Sequence, residues 1–143
     1  MRLPSPSKRA VALPSIALLA LALGACGSTV STSAFKGDEH EAVQAISNLQ
    51  SDATAADQKK ICADDLAAAI VTKLNKLGGT GGCEAAIKNQ LAEVDSLEVN
   101  IQSVKITGAS ASASVKSIYA GKKRLHSVSL VKEGGKWKVS GLQ

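Results

Sequence analysis

Apolar residues recur with a helical period in the first part of the chain and with a period of two in the last part. Three stretches, 38–54, 57–77 and 83–95, carry apolar residues three or four positions apart. After Ser96 apolar and polar residues alternate, and turn residues divide the remainder into four strands. This order predicts an α+β fold in which N-terminal helices pack on an antiparallel four-stranded sheet.

Local signals predict where several of these elements begin and bend. Asp38 and Glu41 have the spacing of a capping box, which places the start of the first helix at Asp38, and its end is expected near Thr54. In the first strand the apolar phase changes after Ile101, which predicts a β-bulge at Ser103. A hairpin turn is expected at 133–136, where the sequence is Glu-Gly-Gly-Lys.

Residues 1–25 have the pattern of a signal peptide. Arg2, Lys8 and Arg9 precede an apolar run from Ala10 to Leu23. Fourteen helical residues reach about 21 Å, less than the roughly 30 Å hydrocarbon core of a bilayer, so a permanent transmembrane helix is disfavoured.

The sequence Leu-Gly-Ala-Cys that ends at Cys26 resembles the bacterial lipobox. That resemblance implies an acylated Cys26 and anchoring to the cell membrane on its extracytoplasmic side. The small, polar residues after Cys26 predict a flexible tether over 26–37, and the remaining length suits a single domain over 38–143. A plain secretory signal, cut after Ala20-Leu21-Ala22, would instead leave Cys26 as a thiol. The membrane leaflet that would hold the anchor stays open.

Lipidation of Cys26 would leave Cys62 and Cys83 in an oxidising compartment, where they are predicted to pair. Two reduced, buried thiols are the alternative. A metal site is disfavoured because the chain has no C-x-x-C motif and its histidines, His40 and His126, lie far from these cysteines in sequence. No cofactor is predicted.

The disulfide predicts a break in the second helical region. A straight helix from Cys62 to Leu77 would be about 22 Å long, and the six links to Cys83 would span it only when fully extended. We therefore expect a break at Ala63-Asp64, with Asp64 capping the next helical piece. The alternative, an Asp64–Asp65 carboxylate dyad, is disfavoured because neighbours on a helix do not face each other.

Charge and aromatic content argue against a nucleic-acid partner. The chain has 17 Lys and Arg against 12 Asp and Glu, but three of the basic residues precede Cys26, which leaves 14 against 12. The three aromatic residues, Phe35, Tyr119 and Trp137, form no stacking platform for bases. The basic cluster at 122–124 is interpreted as protection of a strand edge, with contact to anionic lipid as the alternative.

The order of elements, together with the last hairpin from Leu130 to Leu142, resembles the nuclear transport factor 2-like superfamily as found in small bacterial lipoproteins. The resemblance covers about residues 38–143, and the cysteine pair resembles that of actinobacterial members. It implies a curved sheet that forms a cone with the helices, and it allows a homodimer across the open sheet face. The positions expected to line such a cone and to contact a ligand are Val99, Ile101, Val115, Tyr119, His126, Val128, Leu130 and Trp137.

Three hypotheses about function follow from this sequence. The first is a non-enzymatic, lipid-anchored envelope protein that binds a small apolar ligand or a protein partner. The second is a small isomerase- or dehydratase-like enzyme using Tyr119 or His126. In the third, the cone is filled and the open sheet face is an interaction surface. A hollow or a filled interior distinguishes the first from the third.

Overall fold

The computed structural model describes residues 31–92, 98–119 and 122–143, and for Glu98, Ile118, Tyr119 and Lys122 it describes the backbone only. The predicted signal peptide, Cys26 with the start of its tether, and the turn at Gly121 therefore lie outside the described residues. Within the described ranges, no helix has the length and hydrophobicity needed to cross a membrane.

In the described residues, four α-helices precede the sheet. They are α1 (Gly37–Thr54), α2 (Gln58–Lys60), α3 (Ala68–Leu77) and α4 (Gly82–Leu91); one turn of π-helix, Ile61–Asp65, directly follows α2, and a 3₁₀ turn, Gly79–Gly81, separates α3 from α4. The three predicted helical regions are confirmed as far as residue 92, and the predicted end of the third, 93–95, lies outside the described residues. The predicted capping box is wrong: Lys36 occupies the N-cap without a side-chain cap. Asp38 and Glu41 instead both contact Lys132.

The second helical region breaks, as predicted, but the break lies three residues later and results from pairing with the sheet rather than from a local helix cap. After the π turn the chain is extended at Leu66 and Ala67, where it forms a parallel bridge to Val139. The Ala67 N–H donates to the Val139 carbonyl at 2.8 Å. The prediction that Asp64 caps the next helix is wrong, because the N-cap of α3 is Ala67. Pairing with the sheet keeps Leu66 and Ala67 extended, and no local sequence pattern indicates this pairing.

The break lets α3 and α4 fold into a helical hairpin that brings Cys62 and Cys83 together. The two cysteines form a disulfide with a Cα–Cα distance of 6.2 Å. Asn75 Oδ1 accepts a hydrogen bond from the Cys83 N–H at 2.8 Å. The hairpin is tight at Gly78, where a Cβ would lie 1.7 Å from the carbonyl oxygen of Gly82. Glycine is thus required at position 78.

The sheet is an antiparallel meander in the order β1-β2-β3-β4, with β1 at Glu98–Thr107, β2 at Ser110–Tyr119, β3 at Lys122–Glu133 and β4 at Lys136–Leu142. The register of β1 against β2 shifts between Ile101 and Ser103, which confirms the predicted bulge. A second shift, between Ser129 and Leu130, was not signalled by any change in hydrophobic phase. The α+β class and the four-stranded antiparallel sheet are as predicted.

One face of the sheet forms the core with the helices. The buried residues of this core include Ala42, Ile46, Ile61, Leu66, Leu74, Ala111, Ala113, Val115, Val128, Leu130, Trp137 and Val139. Val99, Ile101, Val104 and Ile106 of β1 are half-buried against it. The bulge returns Val104 and Ile106 to the same face as Val99. These residues join the sheet and the helices in one core.

Candidate functional site

An open cleft of about 480 Å³ lies beside this core. Three segments form its walls: α1 from His40 to Asn48, the end of the π turn, and the β3–β4 hairpin. The lining residues are His40, Glu41, Gln44, Ala45, Asn48, Asp64, Asp65, Gly135, Lys136 and Trp137. Most of these side chains are polar or charged, so the cleft suits a ligand with hydrogen-bonding groups.

Asp65 is the most unusual residue of the lining. Its side chain is only 5% exposed, and its Oδ2 has no hydrogen-bond partner. The pKa of Asp65 is raised from 3.8 to about 7, chiefly by burial and next by the charge of the neighbouring Asp52 carboxylate and a hydrogen bond with it. The charge of Asp64 acts in the same direction, whereas Lys60 lowers this pKa. Near neutral pH, Asp65 therefore exists in both protonation states.

Trp137 contributes a second buried polar atom without a partner. The residue is 5% exposed, and its indole Nε1–H has no acceptor. Lys132 Nζ lies 5.4 Å from the centre of the indole ring, within the range of a cation–π contact. Since buried indole N–H groups usually have a hydrogen-bond partner, a donor without one is unusual in a residue that lines a cleft.

Contacts between the hairpin and the helices fix the walls of the cleft. Lys132 Nζ donates to Asp38 Oδ1 at 3.1 Å and to Glu41 Oε2 at 3.4 Å, which ties β3 to α1. Lys138 Nζ donates to the Ala63 carbonyl at 2.9 Å, which ties β4 to the π turn. The hydrogen bond with Asp38 raises the pKa of Lys132, so this lysine is a fixed positive charge near neutral pH.

The segment before α1 also reaches this end of the domain. His40 Nδ1–H donates to the Thr32 carbonyl at 3.1 Å, and the Phe35 N–H donates to the same oxygen at 3.2 Å. With Nδ1 occupied in this way, neutral His40 carries its lone pair on Nε2. The described residues before α1 thus contact the wall of the cleft at His40.

The sequence-predicted ligand residues are placed mainly in the core. Val115, Val128 and Leu130 are buried, and Val99 and Ile101 are half-buried against them. His126 is half-buried and pairs with Val115 across the sheet, while the Tyr119 side chain lies outside the described residues. Of the eight, only Trp137 lines the described cleft. Ligand binding by the other positions stays a prediction.

Sequence reasoning considered Asp65 only as part of a carboxylate dyad with Asp64, and it disfavoured that dyad. An aspartate pair in a helical stretch is ordinarily solvated or capping, and burial of its second member depends on the π turn. The sequence did contain a signal. Asp65 lies four positions after Ile61, on the same side of a helical stretch, and is followed directly by the apolar residues Leu66 and Ala67; all four residues are buried. Within the described ranges, no group of three or more His, Cys, Asp or Glu residues is arranged to hold a metal ion.

No family model matches this chain, and no curated protein matches it either. Among solved structures, the chain is similar to a designed protein of the nuclear transport factor 2 type. The two are 16% identical, the similarity covers 70% of this chain and 92% of that chain, and the TM-score is 0.47. At these values the likeness carries no inference about the cleft.

Proposed function

We propose that this protein is a non-enzymatic, lipid-anchored binding protein of the extracytoplasmic cell envelope, and that its ligand occupies the cleft. The observation that carries the binding role is that Asp65 and Trp137, which both line the cleft, each have a buried polar atom without a hydrogen-bond partner, Asp65 Oδ2 and Trp137 Nε1. An unsatisfied buried polar group costs about 1–3 kcal/mol, and a ligand that satisfies it recovers part of that free energy. Ligand binding in the cleft would thus explain why both atoms lack a hydrogen-bond partner within the protein.

The anchor is supported by the sequence before the described domain. The basic start, the apolar run and the Leu-Gly-Ala-Cys motif ending at Cys26 together favour lipidation over a plain secretory signal. The Cys62–Cys83 disulfide agrees with an oxidising, extracytoplasmic location. Membership of the nuclear transport factor 2-like superfamily belongs to the same proposal and is supported by the order of elements and the last hairpin.

Intact-mass analysis of membrane-extracted protein tests the anchor. We expect a chain that begins at Cys26, carries acyl chains, and gains two hydrogens on reduction of its disulfide. A Cys26→Ala variant should appear in the soluble fraction, and a Cys62→Ala/Cys83→Ala variant, which keeps Cys26, should stay with the membrane. An unlipidated wild-type chain cut at another position would remove the anchor from the proposal.

Tryptophan fluorescence tests the binding role, because Trp137 is the only tryptophan of the chain and lines the cleft. Excitation at a wavelength that tryptophan absorbs and tyrosine does not therefore reports on this wall of the cleft alone. A ligand should change the Trp137 emission and raise the melting temperature together. If a broad set of small polar molecules and envelope extracts changed neither signal, the cleft would have no binding function.

One observation favours a second candidate function, a small isomerase- or dehydratase-like enzyme. A carboxyl group with a pKa of about 7 in an open cleft is suited to general acid–base chemistry, which makes Asp65 a stronger candidate than Tyr119 or His126. Turnover of a bound compound that is abolished by Asp65→Asn would favour this candidate. Binding without turnover would favour the first.

A further inference from the structure

The two unpartnered atoms of the cleft differ in what they require. Asp65 Oδ2 is a hydrogen-bond acceptor when the carboxyl is ionised, and the Trp137 indole is a donor only. A single ligand that satisfies both must present a donor and an acceptor. This requirement excludes purely apolar ligands and simple inorganic cations as full occupants of the site.

The charges around the cleft select the donor. Glu41, Asp64 and Asp65 line it on the acidic side and Lys136 on the basic side, while Lys132 is engaged by Asp38 and Glu41. Behind Asp65, the Asp52 carboxylate adds a further negative charge, which Lys60 Nζ contacts at 3.4 Å. The local field at Asp65 is thus negative, and a positively charged donor is favoured over a neutral one.

We propose that the cleft binds a primary ammonium group with a hydrogen-bond acceptor beside it, the ammonium on Asp65 Oδ2 and the acceptor on the Trp137 indole N–H. This inference rests on the proposed binding function and specifies its ligand class. An ammonium group supplies a positive charge that balances the negative charge of the acidic wall. Its three N–H donors are enough to contact both Asp65 and its exposed neighbour Asp64.

Ligand binding should release a proton near neutral pH. A carboxylate attracts an ammonium group more strongly than a neutral carboxyl does, so ammonium binding favours release of the Asp65 proton to solvent and leaves a carboxylate–ammonium pair. Affinity should therefore rise as pH increases from 5.5 to 8, through the pKa of about 7. A neutral ligand that accepts a hydrogen bond from the protonated carboxyl would show the opposite dependence.

The ammonium group could come from a soluble amine or from the headgroup of an aminolipid. The second source agrees with the position of the cleft. Thr32 contacts His40 on its wall, and the six residue links from Cys26 to Thr32 reach at most about 21 Å. In the lipid-anchored protein, this end of the domain would lie within that distance of the membrane surface.

Calorimetry and Trp137 fluorescence with two matched probes test the proposal. Ethanolamine carries the ammonium and a neighbouring hydroxyl, whereas N-acetylethanolamine keeps the hydroxyl and lacks the charge. We expect millimolar binding of ethanolamine, as suits so small a probe, and at least about tenfold weaker binding of the neutral analogue. Calorimetry in two buffers of different ionisation enthalpy should reveal proton release on binding.

Matched variants locate the binding groups. Asp65→Asn should weaken ethanolamine binding at least about tenfold, since it removes the charged acceptor. Trp137→Phe, measured by calorimetry, should weaken it about threefold through loss of the N–H donor. Glu39→Gln removes the same charge from an exposed position of α1 outside the cleft and should leave the affinity unchanged. A loss of affinity in Glu39→Gln as large as in Asp65→Asn would overturn the assignment to the cleft.

Vesicles separate the two sources of the ammonium group. Phosphatidylethanolamine vesicles present primary ammonium groups, and phosphatidylcholine vesicles present a quaternary ammonium without N–H donors. A change in Trp137 emission with the first and not the second assigns the aminolipid headgroup, and a response to soluble ethanolamine alone assigns a free amine. If neither amine source bound while the neutral analogue or another compound bound through Asp65, the ammonium inference would be wrong and the binding function would stand.

Discussion

At the scale of single residues, Asp65 links the cleft to the stability of the domain. Its folded-state pKa of about 7 lies above the unfolded value of 3.8. Between these values the native protein holds a proton that the unfolded chain releases, so this residue favours folding at low pH and loses that effect as pH rises through 7. The full difference is on the order of 4 kcal/mol.

Asp65→Asn should remove this pH dependence. The amide cannot ionise, and its NH₂ group can still donate to Asp52. We expect the variant to gain stability relative to wild type between pH 4.5 and 8, by up to about 4 kcal/mol, in urea unfolding followed by Trp137 fluorescence. The Glu39→Gln variant is the control and should follow wild type. Parallel curves for Asp65→Asn and wild type would contradict the raised pKa.

At the scale of elements, the β3–β4 hairpin holds the helical region in its broken form. The Ala68 N–H at the start of α3 donates to Glu133 Oε2 at 3.2 Å, so a residue 65 positions away takes the place of a local cap. Lys138 contacts the Ala63 carbonyl on the other side of the break. The hairpin thereby positions both Trp137 and the turn that buries Asp65.

Glu133→Ala should therefore destabilise α3 and, with it, the cleft. Loss of a helix cap costs about 1 kcal/mol, which lowers the melting temperature of a domain of this size by about 4–8 °C. Glu133→Gln keeps an amide oxygen as acceptor and should restore most of the loss. Glu84→Ala, at an exposed position in the first turn of α4, is the matched control. Equal melting temperatures for Glu133→Ala and wild type would show that this contact has no role in stability.

At the scale of the whole molecule, the disulfide joins the π turn that precedes the break in the helical region to the first turn of α4. It closes a loop with a sequence separation of 21, and Cys83 is itself buried in the core. A core built largely from Ala and Val side chains is modest in size, so a covalent constraint on the unfolded chain makes up a large part of the net stability.

The Cys62→Ala/Cys83→Ala variant should lose about 3 kcal/mol of unfolding free energy. Denaturant unfolding with and without a reducing agent measures this. Reduction should destabilise wild type by a similar amount and leave the double variant unchanged. Wild-type stability that does not respond to full reduction would show that the bridge does not stabilise the fold.

The sequence by itself determined the class of the fold and the identity of most core positions. Helical and strand periods are local properties of the chain, and they identified α1, the order of the strands and the bulge after Ile101. The pairing of Cys62 with Cys83 followed from the number of cysteines and the expected compartment. The period of two along the strands also predicted correctly that Val115, Val128, Leu130 and Trp137 face the interior.

Only the tertiary structure decided where the cleft lies and which residues give it chemistry. The pairing of Leu66 and Ala67 with Val139, the cap from Glu133 and the burial of Asp65 beside Asp52 all join residues far apart in sequence. A local sequence pattern does not predict such contacts. The same Asp64-Asp65 pair on a straight helix would be solvated. Burial and the neighbouring charges set the pKa of Asp65, and both exist only in the folded chain.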